Sequence, residues 1–331
     1  MKLSYLDLTT TDPAFNLAME QYVFDSLPTD RMYVMLWQND NAIIIGKHQN
    51  TLAEINETYV KARSIKVVRR LSGGGAVYHD LGNLNFTIIA DASQAATMDF
   101  QLFCQPVLRL LQKLGVKAEL NGRNDLTIDG QKFSGNAQYQ KNGRVMHHGT
   151  ILFDSDPQVL AKALQVDEEK IKAKGVKSVR SRVTNVRPHL PEDLTLPQFR
   201  RLLLESILQE MPGEAYPLTD ADLKAVKAIQ KERYDTWQWN YGASPACDLH
   251  LRRRFEGCGT VEAYLKLNHG IIEGLTFRGD FFSSEDPAAL AQKLVGLSHQ
   301  RAVLEKALSG TDVGQYFHGL TTNAFVSLLC S

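Results

Sequence analysis

Arg69-Arg70-Leu71-Ser72-Gly73-Gly74-Gly75-Ala76-Val77-Tyr78-His79-Asp80 lies between a β-branched stretch ending at Val67-Val68 and the apolar run Phe86–Ile89. Successive glycines strip the side chains from a turn between strands, so backbone N–H groups can reach an oxyanion or phosphate that a Cβ would hold away. Arginines at the mouth of the turn add guanidinium groups, always charged and able to grip carboxylate or phosphate oxygens in pairs. Neighbours on a strand point to opposite sides, so only one of Arg69 and Arg70 can face such a ligand.

Outward from this turn, other small and polar stretches follow in order. They are Gly122-Arg123-Asn124-Asp125, Lys132-Phe133-Ser134-Gly135-Asn136-Ala137, His147-His148-Gly149-Thr150, and the segment from Lys174-Gly175 to Thr184-Asn185. Lys132 heads a run whose Ser134, Gly135 and Ala137 leave room for a ligand beside a strand. Asn124-Asp125 offers an amide and a carboxylate just ahead of a strand, readable either as a turn opening the strand or as a phosphate and Mg²⁺ contact, with Asp125 the metal candidate. His147-His148 does not read as a zinc site, because adjacent strand residues diverge to opposite faces. Residues 170–187 hold seven Lys or Arg with no apolar period, the pattern of a charged loop.

The chain has 331 residues, beyond the ~250–300 at which single cores stop growing, so two domains are expected. A loop composition at Tyr241-Gly242-Ala243-Ser244-Pro245 places the boundary, giving domains 1–244 and 245–331. Lys plus Arg and Asp plus Glu both total 37, so no global field favours nucleic acid or an anionic membrane, and any polyanion site is local. The N-terminus lacks an apolar signal segment and no window approaches the ~18 apolar residues of a membrane span, which reads as cytoplasmic. Cys104, Cys247, Cys258 and Cys330 are far apart, suggesting neither a disulfide framework nor a zinc knuckle.

Asp12-Pro13 opens a helix to about Leu27, the former residue expected as its cap. Tyr33–Trp37 and Ala42–Gly46 read as strands of a hairpin, and Val67–Leu71, Ala76–Tyr78, Asn85–Ile89, Asp125–Ile128 and Val145–Phe153 as further strands. Met98–Leu114 carries an apolar face at helical spacing with an expected kink or restart at Pro106. Thr195 to Gln198 reads as a capping box for a helix to about Gln209, and Thr219 caps another to about Tyr234. Beyond the boundary come strands near Asp248–Phe255, a hairpin of Thr260–Leu267 with Ile271–Phe277, and helices Pro287–Leu294 and Gln300–Leu308. Short strands and flanking helices without a βαβ rhythm indicate α+β, a mixed sheet covered by helices, with a small α/β C-terminal domain.

The ordered set from Pro13-Phe15-Asn16-Leu17-Ala18 to Trp237-Trp239-Asn240 resembles the lipoate-protein ligase family, itself related to biotin protein ligases. More loosely the resemblance extends through the C-terminal part, the counterpart of the family's accessory domain. It implies an ATP-dependent ligase that converts lipoate to lipoyl-AMP and passes the lipoyl group to a lysine of lipoyl domains. Acceptors would be E2 subunits of 2-oxo acid dehydrogenases or the glycine-cleavage H protein, with Mg²⁺ accompanying ATP. By the same resemblance Lys132 is the catalytic cation, contacting the lipoate carboxylate and the α-phosphate. Arg70, Gly75, Ala76, Val77, Tyr78, Asn124, Lys174, Val176, Ser178, Val179 and Arg180 are implied contacts of ATP and the adenylate. Gly73, Gly74, Val77, His79, Ser134, Gly135, Ala137 and Trp37 are implied at the lipoate. Two of these keep second readings, Trp37 as an ordinary core residue and His79 as a hydrogen-bonded structural histidine. The basic segment is implied to close over the adenylate as a lid that excludes water.

Two other reactions compete with this one. An octanoyl or lipoyl transferase of the same fold acts without ATP and needs an activated cysteine; Cys104, on an amphipathic helix beside Phe103, reads instead as a buried thiol. A non-catalytic lipoyl carrier would be expected to lack Lys132 or the glycine loop, and both are present.

Overall fold

The computed structural model describes residues 2–49, 51–92, 100–122, 124–164, 183–241, 249–268 and 271–330. Its strands in chain order are β1 (Lys2–Asp7), β2 (Arg31–Trp37), β3 (Ala42–Ile45), β4 (Lys66–Arg69), β5 (Val77–His79), β6 (Asn83–Asp91) and β7 (Ala118–Asn121). They continue with β8 (Asp125–Ile128), β9 (Gln131–Lys141), β10 (Arg144–Leu152), β11 (Gly213–Ala215), β12 (Leu249–Phe255), β13 (Gly259–Asn268) and β14 (Ile271–Gly279).

Two units result, one of Met1–Ile44, Leu52–Arg69 and Val77–Asn240, the other of Ile45–Thr51, Arg70–Ala76 and Tyr241–Ser331. The second therefore takes in two short segments from early in the chain, the glycine turn among them. A single cut along the sequence does not separate the units, and the expected cut between 244 and 245 falls outside the described residues.

In the first unit the main sheet runs β11-β1-β2-β6-β10-β9-β8-β7. β1 is parallel to β2 and β11 while the other neighbours are antiparallel, so the sheet is mixed as expected. Alternation along β6 organises both faces. Leu84, Phe86 and Ile88 join Val34, Leu36, Val145 and Ile151 in a core closed by helices Phe100–Lys113 and Leu196–Glu210. Asn85 and Thr87 turn to the other face, toward helix Pro13–Ser26, whose Glu20 accepts a hydrogen bond from the Thr87 hydroxyl at 2.6 Å.

Thr195 and Thr219 both form capping boxes, so those helices start where the sequence signals them. Asp12 precedes its helix without capping it; its carboxylate binds Lys66 and Gln230 instead. The helix Phe100–Lys113 continues through Pro106 rather than restarting. Pro106 has no N–H to donate to the preceding turn, and Leu102 there is exposed, where the cost is small. No hairpin joins β2 to β3. β2 pairs with β1 and β6, whereas β3 lies in a separate sheet of order β4-β3-β5. The link between them is pinned by Asn39, fully buried and bonded to Asn16 and His79.

The second unit is built on the antiparallel sheet β12-β13-β14. Val261, Ala263, Leu265, Leu275 and Phe277 pack there with Leu290, Phe325 and Leu328 from helices Pro287–Leu294 and Thr322–Leu329. Among the described residues no helix is long and apolar enough to cross a membrane.

Candidate active site

Lys132 gains its position from an irregularity in β9. Leu126 opposes Ser134 and Thr127 opposes Lys132, so Phe133 is the extra residue of a β-bulge. Phe133 is wholly buried in the main core, which anchors the bulge. The lysine then lies across Gly135, where a Cβ would stand 2.9 Å from Nζ and 3.1 Å from Cε. Asp125 opposes Gly135, and its Oδ1 meets Nζ at 2.7 Å. Both side chains are about one-third exposed, at 38% and 35%, so this pair adds little stability and leaves the ammonium open to an anion. On the backbone side, Thr184 N–H donates to the Lys132 carbonyl at 2.9 Å and Val183 bridges to the same residue.

One continuous row crosses the same face of the sheet. Trp37 opposes Asn85, Asn85 opposes Thr150, the Thr150 hydroxyl accepts from Gly135 N–H at 3.2 Å, and Gly135 opposes Asp125. Neighbouring strands lie about 4.8 Å apart, so Trp37 and Gly135 stand roughly 14 Å from one another along this row. Beside it, Ala137 opposes His148, and His148 Nδ1–H meets the buried Glu20 carboxylate at 2.8 Å. Trp37 is buried, with its indole N–H donating to Thr87 at 2.9 Å. His79, also buried, stands edge-on to Trp37 at 6.3 Å and accepts from Asn39 Nδ2 at its Nδ1. Sequence reasoning missed Glu20 and Thr87. Nothing in a helix or strand pattern marks a buried carboxylate whose partners come from other strands.

Asn124 is held against Asn136, donating to its carbonyl at 2.5 Å while accepting from its backbone N–H at 3.0 Å. Asn136 also donates to the Ser134 hydroxyl at 3.1 Å. These bonds stiffen the strand entry beside Lys132. Tyr78 points opposite to Val77 and His79 along β5, and burial pushes its phenol up to about 12, with Asp80 and Asp40 adding to the shift.

His147 and His148 diverge, as adjacent strand residues must. His147 sits among Phe86, Phe100 and Phe103 and bonds Gln138 and Asn136. Burial, then the neighbouring His148, holds its imidazole well below the ordinary 6.5. Cys104 Sγ lies 3.8 Å from His147 Nε2, a neighbour that sequence distance had hidden. Both groups are wholly buried, so this thiol offers no nucleophile to an acyl substrate. Cys258 is equally buried, and burial raises the Cys330 thiol.

Within the second unit the glycine turn is closed on itself. The buried Arg70 donates to Ser72 Oγ at 3.0 Å, to Gly73 O at 2.7 Å and to Gly75 O at 2.9 Å. The glycines do different work. A Cβ on Gly73 would meet the Phe281 carbonyl oxygen at 2.2 Å, and one on Gly46 would meet Gly74 O at 2.0 Å. Gly74 has φ +92° and donates to Phe281 O at 3.1 Å. Gly75 faces open space, with nothing nearer than Asp280 Cβ at 4.0 Å. His48 stacks on the Phe281 ring at 4.5 Å and bonds Ser283 Oγ at 3.1 Å. Arg69, in the first unit, is spent on the Trp239 and Asn240 carbonyls. Arg123, Lys174, Val176, Ser178, Val179 and Arg180 lie outside the described residues.

The lipoyl protein ligase A/B catalytic-domain model matches residues 12–208, and the bacterial lipoate protein ligase C-terminus model matches residues 244–329. The chain belongs to the lipoyl protein ligase family. Lipoate-protein ligase LplJ of Bacillus subtilis is 43% identical to it over 96% of this chain and 97% of its own. Lipoate-protein ligase 1 of Staphylococcus aureus is 42% identical over the same shares. Relatives so named are ligases, and so is this enzyme. Among solved structures, Plasmodium falciparum LipL1 in complex with lipoate shares the fold over 99% of this chain and 98% of its own, with a TM-score of 0.79 at 21% identity. A lipoate-protein ligase A bound with ATP aligns over 73% of this chain and 98% of its own, with a TM-score of 0.62 at 26% identity. A bipartite ligase from Thermoplasma acidophilum, described together with its E2 lipoyl domain, covers 75% of this chain and 98% of its own, at a TM-score of 0.64 and 27% identity.

Proposed function

We propose that this ligase joins lipoate to a lysine of lipoyl-domain acceptors by way of lipoyl-AMP, in the cytoplasm. The carrying observation is the Lys132 ammonium, laid over Gly135 by a bulge and steadied by Asp125 at 2.7 Å. A carboxylate is inert toward an amine because it repels the nucleophile and has no leaving group. Attack of the lipoate carboxylate oxygen on the α-phosphorus of ATP expels pyrophosphate and gives a mixed anhydride with an open acyl carbon. Two anions must meet for this, and a fixed cation is what stabilises the charge gathering on the α-phosphate.

The row from Trp37 to Gly135, roughly 14 Å long by strand spacing, suits an extended acyl chain with its ring toward Trp37 and His79 and its carboxylate at Lys132. Ala137 keeps that path narrow but free of bulk, whereas Ser134 alternates to the opposite face, where Asn136 donates to its hydroxyl. Gly75, Ala76, Val77, Tyr78, Asn124 and Arg70 are the proposed nucleotide contacts. Gly75 offers open backbone, whereas Arg70 must release loop carbonyls to reach a phosphate. Mg²⁺ arriving with ATP needs few protein ligands, since it keeps waters and takes phosphate oxygens. Asp125 is the proposed protein carboxylate for it. E2 lipoyl domains and the glycine-cleavage H protein are the proposed acceptors; their lysine amine attacks the acyl carbon and releases AMP.

Lipoate-dependent exchange of pyrophosphate into ATP, run without acceptor, tests the reading. Exchange that requires lipoate is expected. An enzyme that lipoylates an acceptor domain without ATP would overturn it.

A further inference from the structure

Two asparagines of β6 share the face that carries the row from Trp37 to Gly135. Asn83 opposes Leu152, and Asn85 opposes Thr150 on one side and Trp37 on the other. Both are buried, at 0% and 2% exposure. Between them they make one hydrogen bond, Asn83 Nδ2 donating to Asn85 Oδ1 at 2.9 Å. That bond occupies the Asn85 oxygen and leaves its NH₂ over, buried and without a hydrogen-bond partner among the described residues, as is Asn83 Oδ1. Thr87, next along the same face, shows the contrast. Its hydroxyl accepts from the Trp37 indole and donates to Glu20.

A buried donor without an acceptor costs free energy that an accepting ligand atom can recover. The place of the amide along the row says which atom that is. Strand spacing puts Asn85 roughly 10 Å from Gly135, with Trp37 one strand further. A lipoate held by its carboxylate at Lys132 carries its first ring carbon about 6–7 Å away along an extended chain of ~1.5 Å bonds. Its disulfide, itself about 2 Å long, lies just beyond. The sulfurs therefore come to rest at Asn85, with the Trp37 indole as the wall behind them. A disulfide sulfur has lone pairs and no hydrogen, so it accepts weakly and cannot donate, which matches a leftover N–H. The methylenes nearer the carboxylate offer an amide nothing, and the hydrocarbon tail of octanoate would leave the donor unsatisfied.

We propose that Asn85 determines specificity at this site, its Nδ2 N–H reading a dithiolane sulfur and favouring lipoate over a sulfur-free acid of the same length. This rests on the placement of the acyl chain above. Exchange of pyrophosphate into ATP is followed with the full-length wild type, Asn85→Leu and Asn85→Asp, each supplied with lipoate, octanoate or cyclopentylpentanoate, whose ring has the size of the dithiolane without its sulfurs. Asn85→Asp keeps the oxygen that Asn83 uses and removes the donor. The wild type should favour lipoate over the cyclopentyl acid in kcat/KM. Losing one neutral hydrogen bond should shrink that preference about three- to tenfold in both variants, through the KM for lipoate, with the KM for ATP unchanged. Should Asn85→Leu fail to fold, Asn85→Asp and the wild-type comparison carry the test. A wild type indifferent to the sulfurs, folded variants that lose both acids equally, or variants that keep the wild-type preference would overturn the role of Asn85 while leaving the ligase reading intact. A wild type with no exchange on any of the acids would overturn both.

Discussion

Gly135 is the residue on which the geometry of Lys132 turns. A methyl there would stand 2.9 Å from Nζ, and the far end of a lysine moves easily, so Gly135→Ala should cost little stability while displacing the ammonium. Losing one preorganised electrostatic donor lowers turnover by about 10²–10³. Exchange activity of Gly135→Ala should fall toward that of Lys132→Ala, with the melting temperature nearly unchanged; wild-type exchange would separate the glycine from the lysine's placement. His147 carries a different signature. Its native pKa is depressed by burial, so as pH drops through 6.5 the unfolded ring takes a proton that the native ring refuses. The unfolded state then binds more protons, and this contribution is whole above that value and lost progressively below it. Melting temperatures at about pH 8 and about pH 5.5 should diverge more in the wild type than in His147→Gln, whose amide does not titrate. Equal divergence would assign the loss to other groups.

At the scale of the element, the glycine turn separates into positions that answer to packing and one that faces space. Gly73→Ala drives a Cβ into the Phe281 carbonyl, backbone that cannot swing aside, and should lower the melting temperature. Gly75→Ala meets nothing and should melt like the wild type while losing nucleotide affinity; calorimetry on both variants distinguishes them, and matching melting losses would make Gly75 structural too. The glycines were visible in the sequence, but the division of labour was not, because the crowding atom belongs to a residue about 200 positions away. β8 and the helix Pro287–Leu294 were legible to the residue, since local alternation and a proline start suffice there. β9 was not read as one strand, because Ser134, Asn136 and Gln138 look hydrophilic until their buried partners are known. β2 and β3 looked like a hairpin for the opposite reason. Their linker has the composition of a turn, and nothing local says that Asn39 is buried among residues of other elements.

For the whole molecule, the two units are interleaved in sequence rather than consecutive. A chain ending at Asn240 keeps the residues of the main core, so it should retain helical and sheet signal by circular dichroism. It lacks Phe281, and with it the carbonyl that holds Gly74, so lipoate-dependent exchange should vanish. Undiminished exchange in the truncated chain would mean that the turn holds its shape unaided. The same interleaving sets an order of events during synthesis. The turn leaves the ribosome about 200 residues before the segment that fixes it, an interval of roughly 10–40 s at ~5–20 residues per second. Through that interval the first unit can collapse on its own core while the turn waits without its partner. Fixing of the glycine turn is therefore among the last steps in making the enzyme, and a nascent or prematurely terminated chain carries Lys132 without the completed turn.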